Sequence, residues 1–391
     1  MRRVFWWLGR LGLAALVALG LFLGALGLDG WTAFGTSATG ARLERMQGSP
    51  QWSDGQFVNP EPLWNDVWGS LVGAFNVSPD GRPHDPLSVV RPERTGFERP
   101  PATGLRLTWF GHSAFLVELD GIRLLVDPVW GPRASPVSWL GPERWYDPPM
   151  ALADLPAIDA VLISHDHYDH LDLPTIQAMR GWTAPFIVPL GVGAHLAGWG
   201  IPEARIIELD WWDQHPVGPV TVVATPARHA SGRTGVDKDS TLWAGFAVVG
   251  SKRRVFYSGD SGLFPGLTDI GARLGPFDLT LMDAGQYDPA WPDWHMGPEQ
   301  TVRAHQMVRG EVLVPVHWGL FQLAYHGWTE PIERVLAAAA GPGVRVATPR
   351  PGAPFEPLDP TAEATRWWPA LPHRSAADAP VVSTLVEPER R

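Results

Sequence analysis

Ser164-His165-Asp166-His167-Tyr168-Asp169-His170-Leu171-Asp172 is the stretch that decides how this chain is read. Three histidines and two carboxylates occupy the six positions His165–His170, directly after the apolar run Val161-Leu162-Ile163. Buried, such groups are unfavourable unless they are paired or bound to metal. Exposed, they would have no reason to follow an apolar strand so closely. His165 and His167 stand two residues apart, so an extended backbone points both side chains the same way. Asp169 and His170 are adjacent and diverge where the chain turns into a helix. One pair can therefore hold one metal ion and the other pair a neighbouring one, with Asp172 left to start the helix or to support a ligand.

Working outward, further metal-ligand residue types stand at other strand ends. Strand-like segments are predicted at Leu105–Phe110, Ser113–Leu119, Ile122–Val126, Ala160–Ile163, Phe186–Val188, Arg205–Leu209, Val220–Ala224, Thr241–Val249, Arg254–Tyr257, Leu279–Met282 and Val312–Val316. The first hairpin turns at Asp120-Gly121. Helices are predicted at Trp64–Phe75, Leu173–Met179, Pro298–Val308 and Pro331–Ala340. His229 follows Val220–Ala224, Asp260 follows Arg254–Tyr257, and His317 ends Val312–Val316. Asp260 can bridge two cations, because a carboxylate has two oxygens and a full negative charge. Many strands with few helices, and ligands at the strand ends, suggest an α+β fold with sheets sandwiched between helices. His112 is expected at a strand end near the site, with Asp127 orienting a ligand.

Composition bounds the chemistry. There is no cysteine, so disulfides and thiolate metal sites are excluded and any ion must be held by His, Asp and Glu. A formal net charge of −10 argues against a nucleic-acid surface. Four regions follow: residues 1–28 as a signal anchor or signal peptide, residues 29–104 as an irregular Pro-rich lead-in, residues 105–350 as the catalytic body, and residues 351–391 as a peripheral tail. The N-terminal segment has Arg2, Arg3 and Arg10 ahead of Leu11–Leu28, a run of 18 uncharged residues. At 1.5 Å per residue that run nearly spans a hydrocarbon core of roughly 30 Å. The apolar segment extends back to Val4 if Arg10 reaches the membrane surface. The arginines predict an inside N-terminus with the body exported, to the periplasmic or outer side. A cleaved signal peptide, with Ala25-Leu26-Gly27 as its cleavage site, is the rival reading.

The ordered set His165-x-His167-x-Asp169-His170, His229, Asp260 and His317 resembles the ligand set of the metallo-β-lactamase superfamily. The resemblance implies an αβ/βα four-layer sandwich with a binuclear site. In that family His165, His167 and His229 would hold the first metal. Asp169, His170 and His317 would hold the second, with Asp260 bridging. His167 stands where a diiron redox branch has Glu, which favours a hydrolase with two Zn2+ per chain. Trp109-Phe110-Gly111-His112-Ser113-Ala114-Phe115 and Leu125-Val126-Asp127-Pro128-Val129 are similar to the branch with UlaG-like lactonases and N-acyl-phosphatidylethanolamine-hydrolysing phospholipase D enzymes. Ser49-Pro50-Gln51, Asn59-Pro60-Glu61-Pro62, Gly285-Gln286-Tyr287-Asp288-Pro289, Gly297-Pro298-Glu299-Gln300 and Val316-His317-Trp318-Gly319 look specifically like the phospholipase D group. Gln286 departs from it, since that group more often has Gly-Ala-Tyr.

The resemblance implies a phosphodiesterase of phospholipase D type acting on N-acyl phosphatidylethanolamine-like lipids through a metal-bound hydroxide. Asp169 would orient the hydroxide and accept its proton. By resemblance His295 could contact the phosphate or the leaving group. Trp291, Trp294, Trp318 and Phe321 could hold acyl chains, and the membrane would be the second partner. The alternatives are a lactonase or other carbonyl-ester or amide hydrolase, and a membrane-anchored metal-binding protein without turnover. His195, His215, His305 and His326 are assigned no role.

Overall fold

Two seven-stranded sheets stack face to face, and helices cover both outer faces. The computed structural model describes residues 2–360 and 366–384, without the side chains of residues 2–11, 14 and 15. In chain order the helices are α1 (Arg2–Gly30), α2 (Gly40–Gln47), α3 (Val67–Ala74), α4 (Leu173–Ala178), α5 (Val192–Gly198), α6 (Gly266–Leu274), α7 (Pro298–Met307) and α8 (Glu330–Ala340). A short hairpin, β1 (Trp52–Ser53) and β2 (Gln56–Phe57), precedes the body. The first sheet holds β3 (Leu105–Gly111), β4 (Ala114–Leu119), β5 (Ile122–Val126), β6 (Ala160–Leu162), β7 (Phe186–Pro189) and β8 (Ile206–Leu209). The second holds β9 (Gln214–Val217), β10 (Val220–Thr225), β11 (Gly245–Val249), β12 (Arg254–Tyr257), β13 (Phe277–Asp283), β14 (Gly310–Val316) and β15 (Arg345–Val346). The last strand, β16 (Pro354–Phe355), returns to the first sheet beside β3.

Each sheet starts as an antiparallel meander and continues parallel, from β5 in one and β12 in the other. Side-chain alternation explains the layering. On β4, Phe115, Val117 and Leu119 enter the core between the sheets, while Ala114 and Leu116 join the core under α4 and α5. On the second sheet, Val223, Ala247, Phe256 and Leu313 face α6, α7 and α8, while their strand neighbours face inward. Charged residues within strands form a cross-strand ladder. Glu118 lies opposite both Arg106 and Arg123 and takes Arg106 Nη2 at 2.8 Å and Arg123 Nε at 3.1 Å. The hairpin turn at Asp120-Gly121 has positive φ at both residues, 48° and 87°, the mirror-type turn that matches strand twist. The expected α+β sandwich is therefore the observed fold.

The structure corrects several expectations. The C-terminal region is not a peripheral tail: β16 caps the edge of β3, Trp368 packs into the core between the sheets, and Trp367 packs against it half-buried. The strand expected over Thr241–Val249 begins at Gly245, because residues 241–244 cross the mouth of the sandwich instead, where Ala244 N donates to Ser164 O at 2.9 Å. The apolar N-terminal run does lie in a helix, α1, with Leu13, Leu16, Leu19 and Leu21 more than half exposed. Among the described residues no helix is long and apolar enough to cross a membrane. Part of the expected membrane segment Val4–Leu28 lies outside the residues whose side chains are described.

Candidate metal centre

The site is built where strand ends of both sheets meet. Asp127 follows β5, the His165–His170 run follows β6, His229 follows β10, Asp260 follows β12, Asp283 ends β13 and His317 follows β14. The two sheets are stapled at this edge. His112 N donates to Trp318 O at 2.9 Å, and His317 N donates to His112 O at 2.9 Å. Three non-glycine residues here take left-handed backbone conformations: His112 (φ 53°), Asp127 (φ 38°) and His317 (φ 67°). Such conformations are unfavourable for residues with a Cβ and persist where surrounding contacts impose them. Gly285 is required by the same crowding, since a Cβ there would lie 1.6 Å from His317 O.

All seven expected ligands converge. His165, His167 and His229 form one cluster, with His167 Nδ1 2.9 Å from His165 Nε2 and 3.3 Å from His229 Nε2. His112, Asp169, His170 and His317 form a second. Asp260 stands between them: Oδ2 is 3.1 Å from His170 Nε2 and 3.8 Å from both His165 Nε2 and His229 Nε2, while Oδ1 is 3.1 Å from His317 Nδ1. The i, i+2 spacing of His165 and His167 does send both rings into one cluster. A turn over 167–171 then swings Asp169 and His170 to the other, with His170 N and Leu171 N both donating to His167 O. Asp172 proves to be the helix start, accepting from Thr175 N at 3.1 Å at the head of α4.

The supporting shell is dense. Asp127 accepts from His170 Nδ1 (2.7 Å), Tyr257 OH (2.6 Å), Ser164 Oγ (2.6 Å) and Ser164 N (2.7 Å). That fixes the proton on His170 Nδ1 and frees Nε2 to face Asp260, the orienting role expected of Asp127. His229 Nδ1 donates to Trp294 O at 3.0 Å, fixing its tautomer in the same way. Asp166, which points away from the centre, binds Gly232 N (2.7 Å) and Thr241 Oγ1 (2.8 Å) and meets His195 Nε2 at 3.3 Å. Arg233, wholly enclosed, donates to the carbonyls of Asp166 and Leu171 and lies 4.1 Å over the Tyr168 ring, locking the loop from behind.

Electrostatics point the same way. Burial, helped by neighbouring rings, holds His165, His229 and His317 well below the ordinary imidazole value, so they present neutral nitrogen lone pairs. Burial pushes the Asp260 carboxyl up to about 7 against the pull of His170. Burial would lower His170 too, but Asp260, Asp169 and Asp127 outweigh it and hold its pKa well above the usual value. Burial would raise Asp169, but His170 and the hydrogen bond from His112 keep it well below the carboxylate range. His170 Nε2 and Asp260 Oδ1 are buried and make no hydrogen bond. Imidazoles held neutral, crowded carboxylates and orphaned ligand atoms all aimed at one space are satisfied together by divalent cations. The donor set of imidazole and carboxylate suits zinc.

Sequence reasoning missed Asp283, which is fully buried at the end of β13, 2.8 Å from His295 Nδ1. It ends an apolar strand just as Asp260 and His317 follow theirs, so the same rule applied to Met282-Asp283 would have found it. His295 itself is brought to the site, its Nδ1 3.9 Å from Asp260 Oδ2 and its ring stacked on His317 at 4.9 Å. His112 Nε2 donates to Asp169 Oδ2 at 2.8 Å, closer to the chemistry than a strand-end neighbour need be. His195 backs the metal loop through Asp166, a role the sequence did not suggest.

A four-layer sandwich with two histidine–carboxylate clusters sharing one buried aspartate defines a metal-dependent hydrolase. The family model described as the β-lactamase superfamily domain matches residues 122–318, and this chain belongs to that superfamily. A relative, the N-acyl-phosphatidylethanolamine-hydrolyzing phospholipase D 1 of Caenorhabditis elegans, is 34% identical over 291 residues, covering 68% of this chain and 81% of that one. An uncharacterized protein of Mycobacterium tuberculosis is 48% identical over 350 residues, covering 86% of this chain and 91% of that one. Among solved structures, Igni18, a metallo hydrolase from the archaeon Ignicoccus hospitalis, shares 25% identity at a TM-score of 0.51, over 64% of this chain and 97% of that one.

Proposed function

We propose that the chain is a binuclear, zinc-dependent phosphodiesterase of phospholipase D type, acting on N-acyl phosphatidylethanolamine-like lipids. The placement of Asp260 between two ligand clusters, with Oδ2 reaching His165 and His229 of one and His170 of the other and Oδ1 facing His317, is the observation that carries the binuclear reading. His165, His167 and His229 would hold one ion, Asp169, His170 and His317 the other. When bound, the ions supply Lewis acidity toward the phosphoryl oxygens and an activated water at neutral pH.

The chain's own residues do the rest. Asp169, oriented by His112, lies at the mouth of the second cluster and is placed to take the proton of the attacking water. His295, held by Asp283, faces the same space from the covering loop and can donate a hydrogen bond to a phosphoryl or leaving-group oxygen. Trp291 and Trp294 stand on that loop, and α3, with no buried residue, leans on it through Asp66 N to Ala290 O (2.7 Å) and on the segment after β14 through Tyr325 OH to Ser70 O (2.8 Å). Trp68 (72% exposed) and Phe75 (84% exposed) on α3 and its end form an apolar rim suited to lipid chains. The name of the Caenorhabditis elegans relative supports the same substrate class. Attachment to a membrane through α1, with the catalytic body on the exported side, belongs to this proposal and rests on the apolar run Leu11–Leu28 behind three arginines.

The test is metal analysis of the purified protein followed by incubation with N-acyl phosphatidylethanolamine, with and without chelator. Release of phosphatidic acid that stops on chelation is the expected result. Release of a carboxylate from a lactone or amide instead, with no phosphatidic acid, would replace the phosphodiesterase reading by carbonyl hydrolysis.

A further inference from the structure

Asp293 lies two residues before His295 and is fully buried. Its Oδ1 accepts from Arg228 Nη1 (2.8 Å), Ser383 Oγ (2.9 Å) and Thr384 N (3.0 Å). Its Oδ2 accepts from Thr384 Oγ1 (2.7 Å) and Trp64 N (3.1 Å). One carboxylate thus joins four separate parts of the chain: the lead-in, the loop after β10, the loop over the metal centre and the C-terminal region.

One of these partners and one chain neighbour of Asp293 reach the metal ligand His229. Arg228 immediately precedes His229, and its guanidinium also donates to Ser383 Oγ at 2.9 Å. Trp294, immediately after Asp293, offers the carbonyl that accepts from His229 Nδ1. The backbone has no slack here, because a Cβ on Gly262 would sit 1.9 Å from Asp293 O. The C-terminal region is tied down along its way to Asp293. Trp367 and Trp368 pack against Trp318, next to His317, with ring centroids 5.3 and 5.4 Å away. Farther on, Val381 O accepts from Gln300 Nε2 at 3.1 Å at the head of α7.

We infer that Asp293, keyed by Ser383 and Thr384, is a positioning residue for the metal centre, and that residues 366–384 form a strap holding the His229 and His295 wall against it. The strap acts through Asp293: it fixes Asp293, Asp293 fixes the Trp294 carbonyl that follows it in the chain and the Arg228 guanidinium, and those fix the ring of His229. This rests on the metal-dependent hydrolase reading and adds a part of the chain outside the superfamily match at residues 122–318.

The experiment uses the full chain and three variants: Ser383→Ala with Thr384→Val, Asp293→Asn, and the hydroxyl-preserving Ser383→Thr with Thr384→Ser. Zn2+ affinity is read by competition with a chromophoric chelator. kcat and KM are read on bis(p-nitrophenyl) phosphate, and the Tm is read on metal-free protein. Loss of an outer partner of a metal ligand weakens metal binding or activity about 10–100-fold. The first two variants should show that loss in Zn2+ affinity and in kcat, with KM changed less, and the third should match the parent. A purely structural strap would lower only the Tm, so parental Zn2+ affinity and kcat in the first two variants would overturn the inference. If the parent itself binds no Zn2+, the hydrolase reading fails and the strap falls with it.

Discussion

Asp127→Asn isolates the link between the supporting shell and the second ion of the proposed pair. The carboxylate takes three donors on Oδ2, from His170, Tyr257 and Ser164, and one on Oδ1, from Ser164 N. An amide can place its oxygen on one side only. With oxygen at the Oδ1 position, the NH2 group confronts His170 Nδ1–H. With oxygen at the Oδ2 position, it confronts Ser164 N–H. Tyrosine and serine hydroxyls can rotate to accept, but an imidazole N–H cannot. The imidazole escapes by moving its proton to Nε2, the atom that faces Asp260 at 3.1 Å, and a protonated Nε2 cannot bind an ion. The metal-free protein loses one charge-assisted hydrogen bond, about 1.5–3 kcal/mol. Ion binding should weaken by about 10–100-fold, which is roughly 1.4–2.7 kcal/mol. Chelator competition resolves the ions if one dissociates before the other. The expected result is selective loss of one ion with the other retained by His165, His167 and His229. An Asp127→Asn protein that binds both ions with parental affinity would refute the reasoning.

Three further outcomes follow from particular contacts. Asp169→Asn should abolish turnover while leaving far-UV circular dichroism and Tm near the parent; full activity would remove Asp169 from its proposed role. Gly285→Ala should destabilise by about 1–3 kcal/mol or more, because the new Cβ would collide with His317 O, and should also weaken the second ion position; a parental Tm and metal content would contradict it. His305 hydrogen-bonds Thr280 Oγ1 at 2.7 Å, and burial lowers its pKa from 6.5 to about 4. The unfolded chain therefore takes up this proton first as pH falls. The stability is present above pH 6.5 and is lost between 6.5 and about 4, up to about 3 kcal/mol. His305→Gln should flatten that part of the profile. Urea midpoints that fall equally in parent and variant across this pH window would show that His305 does not contribute.

Much of the fold and of the centre can be read from residue order alone, for a physical reason. Apolar strands ending in a histidine or carboxylate are local signals, and His165, His167, Asp169, His170, His229, Asp260 and His317 all carry them. The same signal reached the hairpin β3–β4 and its continuation through the Asp120-Gly121 turn. What escaped depends on partners distant in sequence. β16 is two residues long and exists only because β3 offers an open edge. Trp367 and Trp368 lie in a polar, Pro-rich stretch, and their burial against Trp318 comes from tertiary contact rather than local pattern. α5 is seven residues of small and apolar side chains with a buried His195, without the polar face that marks a surface helix. Asp293 looks like a loop aspartate until residues 383 and 384 return to it.

The most direct test of the central claim is anomalous scattering at the zinc edge from crystals of the protein loaded with Zn2+. Two peaks flanking Asp260 are expected, one among His165, His167 and His229 and one among Asp169, His170 and His317. A single peak, or none at this edge of the sandwich, would contradict it.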